Sequence, residues 1–413
     1  MQTHLNLYLM QIPKVRRDVF RNSRPTDRIT GTRLDLILYT LLGFMSTPIR
    51  ENPLYLHSFN LLPQFGPTRL FKLANHFEND FERAFKASKH ELIKAGLENE
   101  VVDAWLEKKP KINLNVEKSL MENEGIGIIA QNDVNYPKLL LEIPKFPVLL
   151  YYRGIMENAD ELCFAVVGTR NIATYGRSVI PDLVAPLVQA GAVIVSGMAF
   201  GVDSEAHKQA LIKGKRTIAV LGGGLDNKSL YPKHHQLLAQ EILDNGGALL
   251  SEYPPLTPNF KQHFVARNRI ISGMSIGTLV VECDLKSGSL ITAKHALEQN
   301  RQVYAVPGPI YAEMSKGPNN LIKMGAKAVT EANDILEDLN LKSLPEEVEN
   351  QNIFGDNPVE NKLLEIINKE PIIINEIIKS SGLDVGEVTS ALTFLEMKGK
   401  IRNLGGQQYI RSR

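Results

Sequence analysis

Apolar and polar positions follow three regimes along the chain. From about 54 to 110, apolar residues recur at helical spacing in LHSFNLLPQFGPTRLFKLANHF and again in SKHELIKAGLENEVVDAWLEKK. Pro63, Gly66 and Pro67 break the first run, Ser88 predicts an N-cap, and Gly96 predicts a turn. The pattern predicts a small helical domain over 45–110, of helix-hairpin-helix (SAM-like) type. Such hairpins can offer backbone N–H groups to DNA phosphates. Gln64 and Phe65 stand where a glycine-rich hairpin would be smoother, so helices packed only on one another are an equally good reading.

The middle of the chain changes period. After the short apolar runs GIGIIA, LLLEIP and PVLLYYRG, six β-branched runs follow. They are FAVVG (164–168), AVIVSG (192–197), TIAVLGGG (217–224), ALLSEY (248–253), GTLVVEC (277–283) and QVYAVPG (302–308). Each is nearly continuous in apolar character, as strands covered on both faces should be, and each precedes helix-compatible sequence. Regular βα alternation predicts an α/β fold over 111–340: an extended Rossmann-like, doubly wound, mostly parallel sheet. Residues 341–358 read as a solvated linker rich in Pro, Asn and acids. In 359–413, NKLLEIINK, INEIIKSSG and VGEVTSALTFLEMKGK predict three helices, and IRNLGGQQYIRS a hairpin turning at Gly405–Gly406. That is the order of a C-terminal winged helix.

Charge alters this picture less by its total than by its placement. Lys and Arg number 47 against 46 Asp and Glu, a net +1, which excludes a histone-like grip by bulk charge. Hydrophobic residues at 43% are enough for a core and exclude wholesale disorder. The two cysteines, Cys163 and Cys283, sit in strand-like runs and predict buried thiols in a reducing cytoplasm. The apolar stretch Leu34–Met45 contains Asp35 and is too short to span a bilayer. Residues 1–44 hold 7 basic and 3 acidic side chains, and the rest of the chain 40 against 43. They read as an atypical extension, and one expectation is that translation begins at Met45; the mass of the native N-terminus checks it.

Ligands of open α/β sheets bind beyond the carboxyl ends of the strands. Glycine-bearing loops lie there: Gly168-Thr169-Arg170, Ser196-Gly197-Met198-Ala199-Phe200-Gly201 and Gly222-Gly223-Gly224. Together they predict an anion site through backbone N–H groups. No G-x-G-x-x-G follows the first strand and no P-loop occurs, which disfavours a dinucleotide enzyme or an ATPase. The histidines lack metal-ligand spacing. His207, four residues after Asp203, predicts capping or packing. Glu252 and Glu282 end strands and could be paired catalytic carboxylates, with structural hydrogen bonding the preferred reading. Arg170, Arg177, Lys228, Lys233, Lys261, Arg267 and Arg269 fall on the predicted edge, interleaved with Tyr175, Tyr231, Phe260 and Phe264. Asp226 is the single acid within 168–177, 226–235 and 260–270. Cations among stacking rings predict a groove for single-stranded nucleic acid.

The runs VVGTRNIATYGR, SGMAFGVDSEAH, AVLGGGLDNKSLYPKHH, LLSEYPP, RNRIISGMS, KSGSLITAKHALEQNRQVYAVPG and GPNNLIKMGA resemble the DNA-processing protein A (DprA/Smf) family, in order and over about 160–330. The resemblance implies an extended Rossmann domain that binds single-stranded DNA, with no catalytic activity, cofactor or metal. It further implies a homodimer that loads the RecA recombinase while displacing single-strand-binding protein, in natural transformation. On the family's motifs, Arg170 and Lys233 are the pocket cations, and Arg267, Asn268 and Arg269 line or support the pocket. The full candidate set adds Gly168, Thr169, Arg177, Ser196, Gly197, Gly223, Phe264, Ser287 and Gly288. The stretch Phe264-Val265-Ala266-Arg267 departs from the family, which usually has a proline and often another basic residue before R-N-R. This bears on the local loop shape and one phosphate contact. The predicted third helix of the winged unit carries Glu387 and Glu396 and no Arg, which points to a protein-contact or auxiliary DNA role. The competing reading is an enzyme acting on a nucleotide or nucleoside phosphate, with Glu252 or Glu282 as base. Its phosphoribohydrolase-like model would need P-G-G-x-G-T, where this chain has Lys286-Ser287-Gly288-Ser289.

Overall fold

A computed structural model describes residues 53–156, 162–341, 356–368 and 370–411. The extension 1–44, the candidate start at Met45 and most of the 341–358 linker lie outside the described residues.

The six apolar runs form β3 (Cys163–Val167), β4 (Val193–Ser196), β5 (Thr217–Leu221), β6 (Ala248–Ser251), β7 (Gly277–Val280) and β8 (Gln302–Ala305). Of the preceding runs, GIGIIA contains β1 (Gly127–Ala130) and PVLLYYRG contains β2 (Leu149–Gly154), while LLLEIP forms most of a 3-10 turn, Lys138–Glu142. With the short β9 (Lys327–Ala328), the order across the sheet is β1-β2-β6-β5-β4-β3-β7-β8-β9. Pairs from β6 to β9 are parallel; β1 with β2 and β2 with β6 are antiparallel.

Alternate residues of each strand feed different cores. Cys163, Ala165 and Val167 join one apolar cluster with Val195, Ile218, Val220, Ile270 and Ala293. Phe164 and Val166 join the other with Ile180, Leu183, Ile194, Val202 and Leu279. Helices Lys261–Gly273 and Gly288–Glu298 thus cover one face, and helices Thr174–Gln189 and Val202–Ile212 the other. A strand buried on both sides has no polar face to betray its period, which is why these runs read as continuous.

The N-terminal region is helical from Pro53–Asn60 to Leu114–Asn123. Its core is aromatic: Trp105 stacks on Phe59 at 4.2 Å and meets Phe65 and Phe85 edge-on. It joins the sheet through polar contacts, with His57 Nδ1 2.8 Å from the Tyr151 hydroxyl and Asn60 donating to the Glu252 carbonyl at 3.0 Å. The C-terminal unit has helices Pro358–Ile366, Ile374–Ser381 and Val385–Met397 and a three-stranded sheet in which β12 (Gln408–Arg411) lies between β10 (Ile372–Ile373) and β11 (Ile401–Gly405). The hairpin turns one residue later than expected. Gly406 and Gln407 both take positive φ, as a two-residue turn of this hand requires, while Gly405 sits at a bulge. Lys398 is spent on Asp356 and Glu360, at 2.7 and 2.8 Å. Among the described residues no helix is long and apolar enough to cross a membrane.

Trp105 is fully buried and touches three phenylalanines. Trp105→Ala is expected to lower unfolding free energy by about 3–5 kcal/mol, measured by denaturant titration.

Candidate nucleic-acid interface

The loops after β3, β4 and β5 meet the helix Lys261–Gly273 at one cleft. Its walls are Arg170, Gly197, Ala199, Phe200, Tyr231, Pro232, Phe264 and Arg267. Two layers make it up.

The lower layer is buried and fully engaged. Arg267 projects inward from its helix and is 5% exposed. Its guanidinium donates to the carbonyls of Gly197, at 3.1 Å, and Val220. Asp203 accepts from the Gly197 and Ala199 amides at 3.1 and 3.4 Å. Burial pushes the Asp203 carboxyl up while the nearby Arg267 charge pulls it down. Burial likewise holds Arg267 down at about 10, with Asp203 pulling it up and Arg170 adding to the depression. A methyl on Gly197 would lie 2.5 Å from the Arg267 guanidinium and 2.7 Å from Asp203, so only glycine fits between them. At the far end of the same loop Gly201 takes φ 78°, and a side chain there would strike the Thr169 carbonyl at 2.3 Å.

The upper layer is open. Arg170 is exposed, with its guanidinium 5.8 Å from the centre of the Phe264 ring. Phe264 in turn lies 5.6 Å from Tyr231, and Phe200 packs edge-on against His235 at 4.6 Å. Phe200 and Tyr231 are each 42% exposed. Lys233 follows the lining residue Pro232 and is exposed. Among the described residues Arg170, Lys228, Lys233 and Lys261 form no ion pair. Asp226, the one acid of these segments, is wholly buried and accepts from the Ser229 and Leu256 amides at 3.0 and 2.7 Å. The outer edge is therefore basic without internal compensation.

Of the expected residues, the structure brings Arg170, Gly197, Phe264 and Arg267 together; Lys233 is not in the lining but follows the lining residue Pro232. Others are occupied elsewhere. Arg269 donates from one guanidinium nitrogen to both Glu252 carboxylate oxygens at 2.6 Å. Arg177 lies 3.5 Å from Glu205. The buried Ser196 hydroxyl donates to the Val166 carbonyl at 2.6 Å, and Thr169 donates its amide to the Glu282 carbonyl. Gly168 packs against Val202 and Gly223 against Asn259. Asn268 donates to the Gly288 carbonyl at 3.2 Å, and Ser287 caps the helix Gly288–Glu298. Residues 264–267 are helical, so Val265 in place of proline continues a helix and shapes no loop. Phe200 was not among the expected site residues; its signal was an aromatic between loop glycines. The string Gly273-Met274-Ser275-Ile276-Gly277 matches G-x-S-x-G, but it leads from helix into strand, and the buried Ser275 hydroxyl donates to the Ile271 carbonyl at 2.8 Å. It is no nucleophile elbow.

The two strand-end carboxylates are committed. Glu252 is the partner of Arg269. Glu282, 3% exposed, accepts from the Ala173 and Gly176 amides at 2.9 and 3.1 Å. It thereby fills the N-terminus of the helix Thr174–Gln189 between β3 and β7, where the strand order reverses and dinucleotide folds hold pyrophosphate. His207 packs beneath the cleft. Thr217 Oγ1 donates to the Ile194 carbonyl at 2.6 Å, so it accepts from His207 Nδ1 at 2.7 Å. Nε2 then carries no proton and has no partner, and burial holds the imidazole at about 3.

The family model for DNA recombination-mediator protein A matches residues 127–340, and that for the DprA winged helix domain matches 347–407. Protein Smf of Escherichia coli (strain K12) is 40% identical over 308 residues, covering 72% of this chain and 81% of that protein. Protein Smf of Synechocystis sp. is 33% identical over 385 residues, covering 84% and 95%. The X-ray structure of DNA processing protein A from Streptococcus pneumoniae matches with TM-score 0.60 at 32% identity, covering 70% of this chain and 98% of that one.

His207 gives the buried layer a pH signature. Between about pH 6.5 and about 3 the unfolded chain binds a proton at this histidine that the folded chain refuses, so stability is full above 6.5 and falls on acidification. About 2 kcal/mol should be lost between pH 6.5 and 5 from this group, and His207→Leu should remove that share of the slope in urea unfolding at the two pH values.

Proposed function

Because the chain belongs to the DNA recombination-mediator protein A (DprA/Smf) family, we propose that its cleft binds single-stranded DNA as the first step of recombinase loading. The observation that carries this is the pairing of uncompensated cations with rings: Arg170 over Phe264, Tyr231 facing it, and exposed Lys233 next in sequence to the lining residue Pro232. Rings set among cations can stack on bases only when the bases are unpaired, and each stacked base contributes about 1–3 kcal/mol. A duplex would offer them phosphates alone.

On this reading the contacts divide by layer. Arg170 and Lys233 meet phosphates, while Phe264, Tyr231 and Phe200 meet bases. Gly197 and Arg267 hold the floor, and Gly168, Thr169, Ser196, Gly223, Asn268, Arg269, Ser287 and Gly288 support it from outside the cleft. Arg177 is an outlying cation. The division of labour we propose is a helical domain at 45–110, the DNA-binding domain at 111–340, a linker at 341–358 and a winged helix at 359–413 for protein contact. We extend the reading to a cytoplasmic homodimer that passes single strands to the RecA recombinase in natural transformation, displacing single-strand-binding protein, and that catalyses no reaction itself. The engagement of Glu252 and Glu282 supports the last point over a nucleotide-processing enzyme, since neither carboxylate is free to act as a base.

Substituting Arg170→Ala together with Lys233→Ala is expected to weaken single-strand binding. It should also reduce the slope of log affinity against log salt by about 1.4, or about 0.7 per phosphate contact. A salt series by fluorescence anisotropy measures both, and an unchanged affinity and slope would sink the assignment.

A further inference from the structure

Four residues before Phe264, at the start of the same helix, Phe260 stands 48% exposed. Its backbone is not loose. The neighbouring Asn259 side chain donates to the Ser229 carbonyl at 2.5 Å, the Gly224 amide donates to Thr257 at 3.1 Å, and the Leu256 amide is held by buried Asp226. Segment 254–260 is thus laced to the loop after β5. Behind Phe260, His263 lies edge-on at 5.2 Å and is itself stacked on Tyr253 at 4.0 Å and 15°. That stack backs Phe260, whose apolar ring lies half in water on a fixed mount. Two exposed cations without ion pairs flank it: Lys261 next in sequence, and Lys228 one residue before the anchored Ser229. A helix advances 1.5 Å per residue, so Phe260 and Phe264 are separated by about 6 Å along its axis. That exceeds the 3.4 Å step of a stacked strand and suits successive bases of an extended one.

We infer that Phe260, backed by the His263–Tyr253 stack and flanked by Lys228 and Lys261, is a second base-stacking station for single-stranded DNA, one helical turn out from the cleft. The inference rests on the cleft itself being a single-strand site. The test uses the full chain and oligothymidylates lengthened one nucleotide at a time. Wild-type affinity should step up at the length that reaches Phe260. Phe260→Ala and Phe260→Leu should both lose that step, about 5- to 140-fold on the longer oligomers, with the shortest bound normally; Phe260→Trp should keep it. Phe264→Ala should weaken binding at every length. If Phe260→Leu tracks the wild type throughout, or weakens all lengths equally, the station is refuted while the cleft stands. If the wild type binds no single strand, the cleft reading falls first and the station with it.

Discussion

The cleft hangs on one buried cation. Arg267 reaches from its helix through the floor to the carbonyls of Gly197 and Val220, beside the Asp203 carboxylate that holds the Gly197 and Ala199 amides of the same loop. Burying a guanidinium costs several kcal/mol unless its protons and its charge are both answered. Here the answer comes from three different elements: the end of β5, the loop after β4 and the helix Val202–Ile212. The arrangement therefore exists only when those elements are already in place. It ties the helix bearing Phe264 to the sheet edge and fixes the height of the rings above the floor.

Around that anchor the charges are sorted by depth. Asp203, Asp226, Glu252 and Glu282 turn inward to amides or to Arg269, whereas Arg170, Lys228, Lys233 and Lys261 stay in water. A chain with nearly equal numbers of acids and bases can in this way present one basic lip. Proteins with net charge near zero are not thereby excluded from nucleic acid; the local field decides.

Much of this was legible in the sequence, and the reasons are physical. The six buried strands announced themselves because both faces are apolar, and strand ends are where loops can gather. Arg170 and Phe264 could be placed on the right edge from that alone. What sequence spacing could not reveal was which cations already had partners. Arg269 and Arg267 are two residues apart on one helix, yet one is locked to Glu252 and the other lies under the floor. Phe200 was hidden for the opposite reason. Its exposure follows from a loop with two left-handed residues, Met198 and Gly201, and methionine gives no warning of such a turn. The hairpin turn falls one residue later because a bulge inserts Leu404 between Asn403 and Gly405, and Gly405 pairs with Gln408.

The carboxylate of Glu282 has a wider meaning. In dinucleotide-binding folds the helix N-terminus beside the first parallel strand is an empty seat awaiting a diphosphate. In this chain the seat comes with its own occupant, tethered covalently and crowded against Gly176 so closely that even a methyl would collide with it. A tethered anion is never diluted. A free nucleotide would have to displace a group whose local concentration is fixed by the chain itself, whatever the nucleotide level in solution.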